Sequence, residues 1–444
     1  MANLQPDIGP NPSGHIVSAC QAACEIHNRL LRVLLLCITP LPMQTQIIIL
    51  GRSMITRRQS LKRLLGVAAA TITAPMINRG WFQLFAGDTT QYSAHAIDLV
   101  KRGTVVDMLN PFTLLGVLAP FKGDKRPTWF TNPETFTSAD FQRFKDSRID
   151  VMHVAVGTVG PSAYDNVMWF LGLWNGFIAH HGEHLMRVDD AAGIDAAKSS
   201  GKIGIILGVQ NSEHFRAADD VDRFYQLGQR ISLLTYNTRN LIGNGSTERR
   251  DDGISDFGVT IIDRMNKVRM AVDVAHCGDR TTLDAFEISK APVLITHANC
   301  RALNPDQPRC KTDEAIRKMA AKGGVMGITG VRNFVSPKEP TTIENVLDHY
   351  DHVAKLVGVE HVGVGSDIDL DGYDALPEDY KKWLRSLYKS SYAFRDKMDT
   401  DGVNHYKRVF DITDGLIRRG YRDADIELIL GGNFRRVLGQ IWTA

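Results

Sequence analysis

Short apolar runs recur along the chain from about residue 103 to residue 365, separated by longer segments whose apolar side chains follow helical spacing. Apolar runs of this kind between turn residues are typical of strands buried in a parallel sheet. Residues 257–269 illustrate the intervening segments, because their apolar positions recur every three or four residues and their basic residues come late. The predicted strands span residues 104–109, 151–156, 203–209, 231–236, 270–275, 292–296, 325–329 and 361–365.

Eight strands that alternate with helices predict an α/β fold, and specifically a (β/α)8 barrel of the TIM type. A doubly wound open sheet is the competing architecture, but eight regularly spaced strands favour closure. Residues 377–397 are rich in tyrosine, tryptophan and lysine, and we expect them to form an insertion over the barrel mouth. Residues 406–419 and 423–438 are predicted to be closing helices, the second of them split at Gly431 and Gly432.

The composition is that of an ordinary globular protein, with 444 residues of which 43% are hydrophobic and 23% charged. The length allows one large α/β barrel or two domains. A formal net charge of +2 gives no argument for nucleic acid as a partner. No apolar run reaches the roughly 18–20 residues that span a bilayer.

The first 80 residues carry a targeting signal rather than a fold signal. The stretch TRRQSLK at residues 56–62 resembles a twin-arginine export signal, and a mild apolar stretch rich in alanine and threonine follows it. Met54 stands just ahead, so residues 54–80 are predicted to be the signal and residues 1–53 a disordered upstream extension. We therefore expect a single barrel domain at residues 81–444, located in the periplasm, with the twin-arginine export machinery as a partner.

Two of the predicted strands, at residues 270–275 and 292–296, are each followed by a histidine. The polar segment between them, residues 279–290, suits a crossover helix. Because parallel strands joined in this way end at the same edge of a sheet, His276 and His297 should emerge side by side. Either histidine alone is more simply a hydrogen-bonded strand cap, whereas the pair favours a metal site.

The residues that follow other strands add amide, phenol and carboxyl groups to the same face. Gln210 follows the third strand, Tyr236 ends the fourth and Asp367 follows the eighth. Catalytic residues of (β/α)8 enzymes lie at this carboxyl-terminal face. A polar barrel mouth proves little by itself, but imidazole, carboxyl and amide groups together suit a metal-assisted hydrolase.

Five motifs at these strand ends point to one family. They read LTYN at residues 234–237, VDVAH at 272–276, PVLITH followed by RAL at 292–303, HVGVGSD at 361–367 and GGNF at 431–434. Their order and spacing resemble the membrane (renal-type) dipeptidase family of zinc metallopeptidases, from about residue 105 to the C-terminus.

The resemblance implies a (β/α)8 barrel that uses zinc to hydrolyse the amide bond of dipeptides. Carried over by motif, it makes His276 and His297 zinc ligands and Asp367 the group that handles protons. It places Tyr236 where the family has a histidine that polarises the oxyanion, and Arg309 where an arginine holds the substrate carboxylate. Family relatives often dimerise, so a homodimer is a further expectation.

Three metal-ligating positions depart from the family pattern. The family's His-x-Asp on the first strand is replaced by Leu109 and Pro111, neither of which can bind a metal ion, and the family's bridging glutamate is Gln210. Asp107 lies two residues before Leu109, so its side chain faces the same way along the strand and could reach inward. Glu213 and His214 are the other groups that could fill the gap.

The charge balance limits how many metal ions such a site can hold. Two zinc ions about 3.5 Å apart repel by roughly 19 kcal/mol at an effective dielectric constant of about 20. The family offsets this repulsion with carboxylates that this chain has lost, so we expect one zinc ion rather than two, or none. The predicted ligands are His276 and His297, with Gln210 as a weak ligand and Asp107 as an optional one.

These observations leave more than one function open. The first is a periplasmic metallo-hydrolase that cleaves dipeptides or similar small amides. The alternative is a catalytically impaired barrel that binds a carboxylate-bearing small molecule or a partner protein, and a metal-free enzyme using Asp367 with one histidine is a third. Cys277, Cys300 and Cys310 lie beside the site residues, and a bridge between Cys300 and Cys310 is predicted as an option for an oxidising compartment.

Overall fold

A closed parallel barrel forms the centre of the molecule in the computed structural model, which describes residues 81–83, 91–112 and 126–443. The predictions for residues 1–53 and 54–80 lie outside the described residues. The strands are β1 (Trp81–Gln83), β2 (Gln91–Ser93), β3 (Val106–Asp107), β4 (Val151–Val156), β5 (Leu185–Arg187), β6 (Ile203–Val209), β7 (Gln229–Leu233), β8 (Ala271–Asp273), β9 (Val293–Ala298), β10 (Met326–Ile328) and β11 (Val362–Val364).

The barrel contains the eight strands predicted from the sequence, in the order β4-β3-β11-β10-β9-β8-β7-β6. It closes because β6 also pairs with β4, in parallel, from Val151 opposite Gly204 to Val156 opposite Val209. The predicted (β/α)8 barrel is therefore confirmed. The extra strand β5 was not predicted; it pairs with the start of β6, and its three residues are too few to give a periodic signal.

Helices connect the strands, and further helices form the C-terminal part of the chain. They are α1 (Ala94–Arg102), α2 (Arg126–Thr131), α3 (Ser138–Asp146), α4 (Ala163–His180), α5 (Ala191–Ser200), α6 (Ala218–Gln226), α7 (Asp256–Val268), α8 (Asp279–Ile288), α9 (Asp313–Ala321), α10 (Arg332–Val335), α11 (Ile343–Val357), α12 (Glu378–Ser386), α13 (Arg408–Arg418), α14 (Asp423–Glu427) and α15 (Asn433–Thr443). Within the part of the chain that the structure describes, none of them has both the length and the apolar character needed to cross a bilayer.

Local sequence signals explain where several helices begin and end. The Thr312 side chain accepts a hydrogen bond of 3.2 Å from the backbone N–H of Ala315, so Thr312 is the N-cap of α9. Helix α6 ends at Gln226, because Gly228 adopts a positive φ of 102° and the next residues enter β7. The predicted break at Gly431 is present as a π-turn, Leu428–Gly432, between α14 and α15.

The barrel interior divides into an apolar part and a polar edge. One buried apolar cluster joins side chains of six barrel strands to Phe434 and its neighbours on α15. Polar groups lie instead at the carboxyl ends of the strands, as expected for a (β/α)8 protein.

The cysteine bridge predicted between Cys300 and Cys310 is wrong, because both residues are free and buried. Their thiols hydrogen-bond to different carbonyl oxygens, Cys300 Sγ to His349 at 3.8 Å and Cys310 Sγ to Phe334 at 3.3 Å. Burial raises the pKa of the Cys310 thiol to about 12, so this thiol stays protonated and unreactive near neutral pH.

Candidate active site

A cavity of about 350 Å³ opens at the carboxyl-terminal face of the barrel. Strand ends supply Gln210, Tyr236 and Asp367 to its floor and walls, and residues 373–394 supply a set of aromatic side chains. We call this cavity the tyrosine pocket, since it is lined by Tyr236, Tyr373, Tyr380, Tyr388 and Tyr392. Residues 377–397, which we call the aromatic segment, therefore contribute to the pocket at the barrel mouth, as the sequence predicted.

Asp367 lines the tyrosine pocket directly after β11. It adopts a positive φ of 56°, and its backbone N–H donates to the Leu109 carbonyl oxygen at 2.8 Å. These features turn the chain sharply and fix the position of the carboxyl group. Burial raises the pKa of Asp367 to about 7, an effect that the nearby Arg309 charge partly opposes. Near neutral pH the carboxyl group can therefore both accept and donate a proton.

Tyr236 forms the boundary between the tyrosine pocket and the two histidines. Its ring stacks on the His276 imidazole, with 4.2 Å between centroids and 23° between planes. Its hydroxyl lies 2.8 Å from the hydroxyl of Tyr388 in the aromatic segment. Burial raises the pKa of Tyr236 well above its usual value, so the phenol stays protonated and remains a hydrogen-bond donor.

His276 and His297 lie side by side, as the strand geometry predicted. Their Nε2 atoms are 2.9 Å apart, which is a hydrogen bond between the rings rather than two free lone pairs. Each Nδ1 atom is also engaged, that of His276 with Asn237 Oδ1 at 2.7 Å and that of His297 with Thr296 Oγ1 at 2.8 Å. Burial lowers the pKa of both imidazoles well below the usual value, with Arg309 adding to the effect. The pair is therefore neutral, and each of its ring nitrogens has a polar atom within hydrogen-bond distance.

Asp273 positions the histidine pair indirectly, through Thr296. Its carboxyl group accepts hydrogen bonds from the Ala275 N–H at 3.0 Å, the Thr296 N–H at 3.0 Å and the Thr296 hydroxyl at 2.6 Å. It thereby joins the ends of β8 and β9 and fixes the threonine that contacts His297.

Arg309 does not present its guanidinium to the tyrosine pocket. The side chain is 1% exposed, and its two terminal nitrogens donate to the carbonyl oxygens of Ala275 and His297, the second at 2.9 Å. The remaining nitrogen, Nε, is buried without a hydrogen-bond partner in the described part of the chain. Arg309 thus holds two strand ends together, and it is not among the residues that line the tyrosine pocket.

None of the other predicted ligands is among the hydrogen-bond partners that the described residues supply to the ring nitrogens of the histidine pair. Asp107 is fully buried and accepts hydrogen bonds from the hydroxyl and N–H of Ser366, at 2.5 Å and 2.7 Å, which join β3 to the second residue after β11. The Gln210 amide donates to the Ala155 carbonyl oxygen at 3.4 Å and lines the pocket. Glu213 and His214 form a short turn in which His214 contacts Asn211 and Gln229.

The side chains around the histidine pair do not form a metal site. Across the described ranges, histidine, cysteine and carboxylate side chains form no group of three that could hold one. The two imidazoles are 1% and 0% exposed, and they bond to each other beneath Tyr236. A catalytic zinc site needs three good protein ligands and an open position. The residues present therefore do not fit either the two-zinc centre of the family or a single catalytic zinc ion.

Sequence reasoning missed His153, which lies inside β4. Its Nδ1 atom contacts the Met108 carbonyl oxygen at 2.7 Å, and its buried Nε2 atom has no hydrogen-bond partner among the described residues. A Cβ atom on Gly208 would lie 2.0 Å from that Nε2 atom, so the glycine makes room for the ring. The only signal was one histidine in the apolar run VMHVAV, where it reads as part of a buried strand.

Solved structures resemble this fold along most of its length. An amidohydrolase from Pseudomonas aeruginosa is 26% identical, with a TM-score of 0.65, covering 79% of this chain and 99% of that one. A metallopeptidase from Rhodobacter sphaeroides, liganded with a phosphinate mimic of the dipeptide L-Ala-D-Ala, is 18% identical with a TM-score of 0.60, covering 76% and 99%. The similarity to the Rhodobacter sphaeroides structure is evidence for a shared fold only.

Curated relatives match a shorter segment. Dipeptidase verJ of Clonostachys rogersoniana is 35% identical over 173 residues, which cover 38% of this chain and 44% of that protein. An uncharacterised dipeptidase of Schizosaccharomyces pombe is 34% identical over 188 residues, which cover 41% of this chain and 44% of that protein. The matched segment thus spans less than half of the length of these relatives.

The closed parallel barrel carries carboxyl and phenol groups at the carboxyl ends of its strands, beside a buried pair of histidines. A family model described as membrane dipeptidase, peptidase family M19, matches residues 95–393. That range is 299 of the 444 residues, or about two thirds of the chain. The chain therefore belongs to the membrane dipeptidase family, as its motifs predicted.

Proposed function

We propose that the chain hydrolyses the amide bond of small dipeptide-like molecules in the tyrosine pocket, with Asp367 as the group that transfers protons. The observation that carries this proposal is the placement of Asp367. Among the described residues it is the only carboxyl group that lines the pocket, and it follows a barrel strand at the catalytic face. Membership of a peptidase family supports the reaction class.

The proposed reaction uses groups of the chain itself. The ionised Asp367 carboxylate accepts a proton from a water molecule as that water attacks the amide carbonyl carbon. The carbonyl oxygen gains negative charge, and the protonated Tyr236 hydroxyl in the same pocket can donate a hydrogen bond to it. Asp367 then returns the proton to the departing amine as the carbon–nitrogen bond breaks.

The size of these effects implies a slow enzyme. A positioned general base contributes about 10²–10⁴-fold, and one oxyanion donor about 10²–10³-fold. Their product, about 10⁴–10⁷-fold, lies at the low end of enzymatic rate enhancements. Because the histidine pair does not fit a metal ion, we propose that no zinc ion contributes to this rate enhancement.

The remaining sequence predictions extend this proposal. The TRRQSLK stretch supports export by the twin-arginine machinery and a periplasmic location. The substrate partner is a small dipeptide-like molecule, and a homodimer stays a prediction.

A second function, binding without hydrolysis, is favoured by one specific observation. The histidine pair forms a closed hydrogen-bonded unit instead of a metal centre. A barrel that had lost its chemistry would keep the tyrosine pocket as a ligand site. Binding of a small amide with no turnover at any pH would favour this reading.

The pH dependence of hydrolysis tests the role of Asp367. The proposed reaction needs the ionised carboxylate, and burial raises the pKa of Asp367 to about 7. We therefore expect kcat/KM to fall about tenfold for each pH unit below about pH 6.5 and to level off above about pH 8. Initial rates on a small peptide amide between pH 5 and pH 9 measure this, with circular dichroism as the check on folding. A flat profile from pH 5 to pH 8 would argue against Asp367 as the base.

A further inference from the structure

One asparagine in the wall of the tyrosine pocket has an amide nitrogen without a partner. Asn237 follows Tyr236 directly, lines the pocket and is only 5% exposed. Its buried Nδ2 atom has no hydrogen-bond partner among the residues that the structure describes. A buried amide N–H without an acceptor costs about 1–3 kcal/mol. An N–H of this kind in the wall of a ligand cavity therefore points to an acceptor that the ligand brings.

The oxygen of the same amide is already bonded. Asn237 Oδ1 accepts a hydrogen bond from the Nδ1–H of His276 at 2.7 Å, and the Ser246 hydroxyl lies 3.4 Å from it. The backbone is fixed as well, because the Asn237 carbonyl oxygen accepts from the N–H and the hydroxyl of Thr247, at 2.9 Å and 2.7 Å. An amide held by its oxygen has only its NH2 group left to offer to a ligand.

The histidine pair fixes the orientation of this amide. The His276 ring is held by the 2.9 Å contact of its Nε2 atom with His297 and by the stacked ring of Tyr236, 4.2 Å away. An imidazole restrained on two sides directs its remaining N–H along one line, and Asn237 Oδ1 lies on that line. The pair therefore acts on the tyrosine pocket through Asn237.

The free NH2 group lies on the same side of the pocket as the Tyr236 hydroxyl. That hydroxyl is 2.8 Å from the Tyr388 hydroxyl, and the Tyr388 ring stacks on Tyr392 with 4.5 Å between centroids. Burial raises the pKa of Tyr392 well above its usual value, and the nearby Asn237 amide partly opposes this rise. Two donors, an amide and a phenol, thus come from adjacent residues and face the same group of phenols.

We propose that Asn237 is a substrate-binding residue whose Nδ2 atom donates a hydrogen bond to the carbonyl oxygen of the substrate's amide bond, beside the Tyr236 hydroxyl. His276 is the positioning residue that holds the Asn237 amide in this orientation. The inference rests on the proposed hydrolase function, since it names a further group for the same reaction. Side-chain amides serve as oxyanion donors in other enzymes, and each such donor is worth about 10²–10³-fold in kcat.

Asn237→Asp tests the donor with the full chain. Aspartate keeps the shape of the side chain, tolerates the positive φ of 60° and can still accept from His276, but it has no N–H to donate. Alanyl-phenylalanine and its alkene isostere, in which a carbon–carbon double bond replaces the amide bond, are the matched ligands. Isothermal titration calorimetry at pH 7.5 gives the Kd of each.

We expect the wild-type chain to bind the dipeptide about threefold to tenfold more tightly than the isostere, and Asn237→Asp to lose this preference. The control is Asn166→Asp, which makes the same change at an exposed asparagine on α4 outside the pocket lining and should keep the preference. A wild-type chain without the preference, or an Asn237→Asp variant that keeps it, would overturn the inference.

His276→Phe tests the positioning role. Phenylalanine keeps a ring against Tyr236 but cannot donate to Asn237, so the preference should fall as it does in Asn237→Asp. The double variant should show no further fall, with urea unfolding as the check that each variant is folded. An unchanged preference in folded His276→Phe would refute the positioning role.

Product analysis of the same dipeptide separates this inference from the proposed function. If the wild type hydrolyses the dipeptide, Asn237→Asp should lower kcat by about 10²–10³-fold. Wild-type kcat in Asn237→Asp would overturn the assignment of Asn237 and leave the proposed function intact. Loss of the binding preference in Asn237→Asp, with no hydrolysis by any form of the chain, would refute the proposed function and leave Asn237 as the ligand's donor.

Discussion

Replacing Asp367 with asparagine should abolish most hydrolysis and make the fold more stable in alkaline solution. The asparagine side chain has nearly the same shape but cannot accept the proton of the attacking water. Since general base catalysis contributes about 10²–10⁴-fold, we expect kcat/KM to fall by that factor. Both effects come from one carboxyl group held in a largely apolar aromatic pocket.

The sign of the stability change follows from the pKa of Asp367. Burial raises the pKa from an ordinary value of 3.8 to about 7, so the unfolded chain gives up this proton more readily than the folded one. The wild-type fold therefore loses stability as the pH rises from about 4 to about 7, by roughly 2–4 kcal/mol at pH 8. The Asp367→Asn variant escapes this loss, so its advantage should be absent near pH 4 and complete near pH 8.

Urea unfolding at pH 5 and at pH 8 measures the effect. Asp371→Asn is the matched control, because Asp371 lies four residues away at the surface and pairs with Arg143 at 2.5 Å. Such an exposed ion pair changes stability by no more than about 1 kcal/mol. Full activity in the Asp367→Asn variant, or a loss of stability at pH 8, would contradict the role given to this carboxyl group.

Replacing Asp273 with alanine should cost the largest amount of stability, at least about 3 kcal/mol. The carboxyl group accepts three hydrogen bonds at the ends of β8 and β9, and alanine would leave two backbone N–H groups and the Thr296 hydroxyl without it. Each unsatisfied buried donor costs about 1–3 kcal/mol, and the lost side chain adds a small cavity.

Asp273→Asn is the informative comparison for this site. Burial raises the pKa of Asp273, so a neutral amide of the same shape replaces a group that already disfavours its charge. Its oxygen can still accept from the two N–H groups, and its amide can donate to Thr296. We expect Asp273→Asn to lose less than half as much stability as Asp273→Ala in urea unfolding. Equal losses in the two variants would show that the hydrogen bonds at this position do not contribute to the free energy of unfolding.

The fold could be predicted because its signals are local. Each barrel strand is a short apolar run, and the parallel arrangement alone places His276 and His297 together. The aromatic segment at residues 377–397 was predicted over the barrel mouth for a similar reason, since it follows the last strand. The strand β5 was missed because three residues leave no periodicity.

The chemistry of the site was harder to predict, because it depends on what long or buried side chains contact. A motif can assign Arg309 to a substrate carboxylate, but only the structure shows its terminal nitrogens on two backbone carbonyl oxygens. The same holds for Asp107, which appeared free to reach a metal ion and instead binds Ser366. His153 was invisible inside an apolar run, although it packs against Gly208 in the barrel interior.

The departures from the family pattern form a consistent set. The lost carboxylates would leave two imidazoles facing each other, and in this structure a hydrogen bond joins them. Tyr236 then covers the pair and extends its hydroxyl toward Tyr388 in the pocket. Asp367, the proposed proton-transfer group, still lines the pocket at the carboxyl-terminal face of the barrel, while the two histidines bond to each other within the supporting structure.

Zinc content is the most direct test of this account. The full chain and its His276→Ala/His297→Ala variant should be purified without chelators from zinc-replete cells, and inductively coupled plasma mass spectrometry should be used to count the metal in each. We expect both proteins to carry far less than one zinc ion per chain, with no difference between them. One or two zinc ions per wild-type chain, lost in the double variant, would contradict the account and restore the histidine pair as a metal centre.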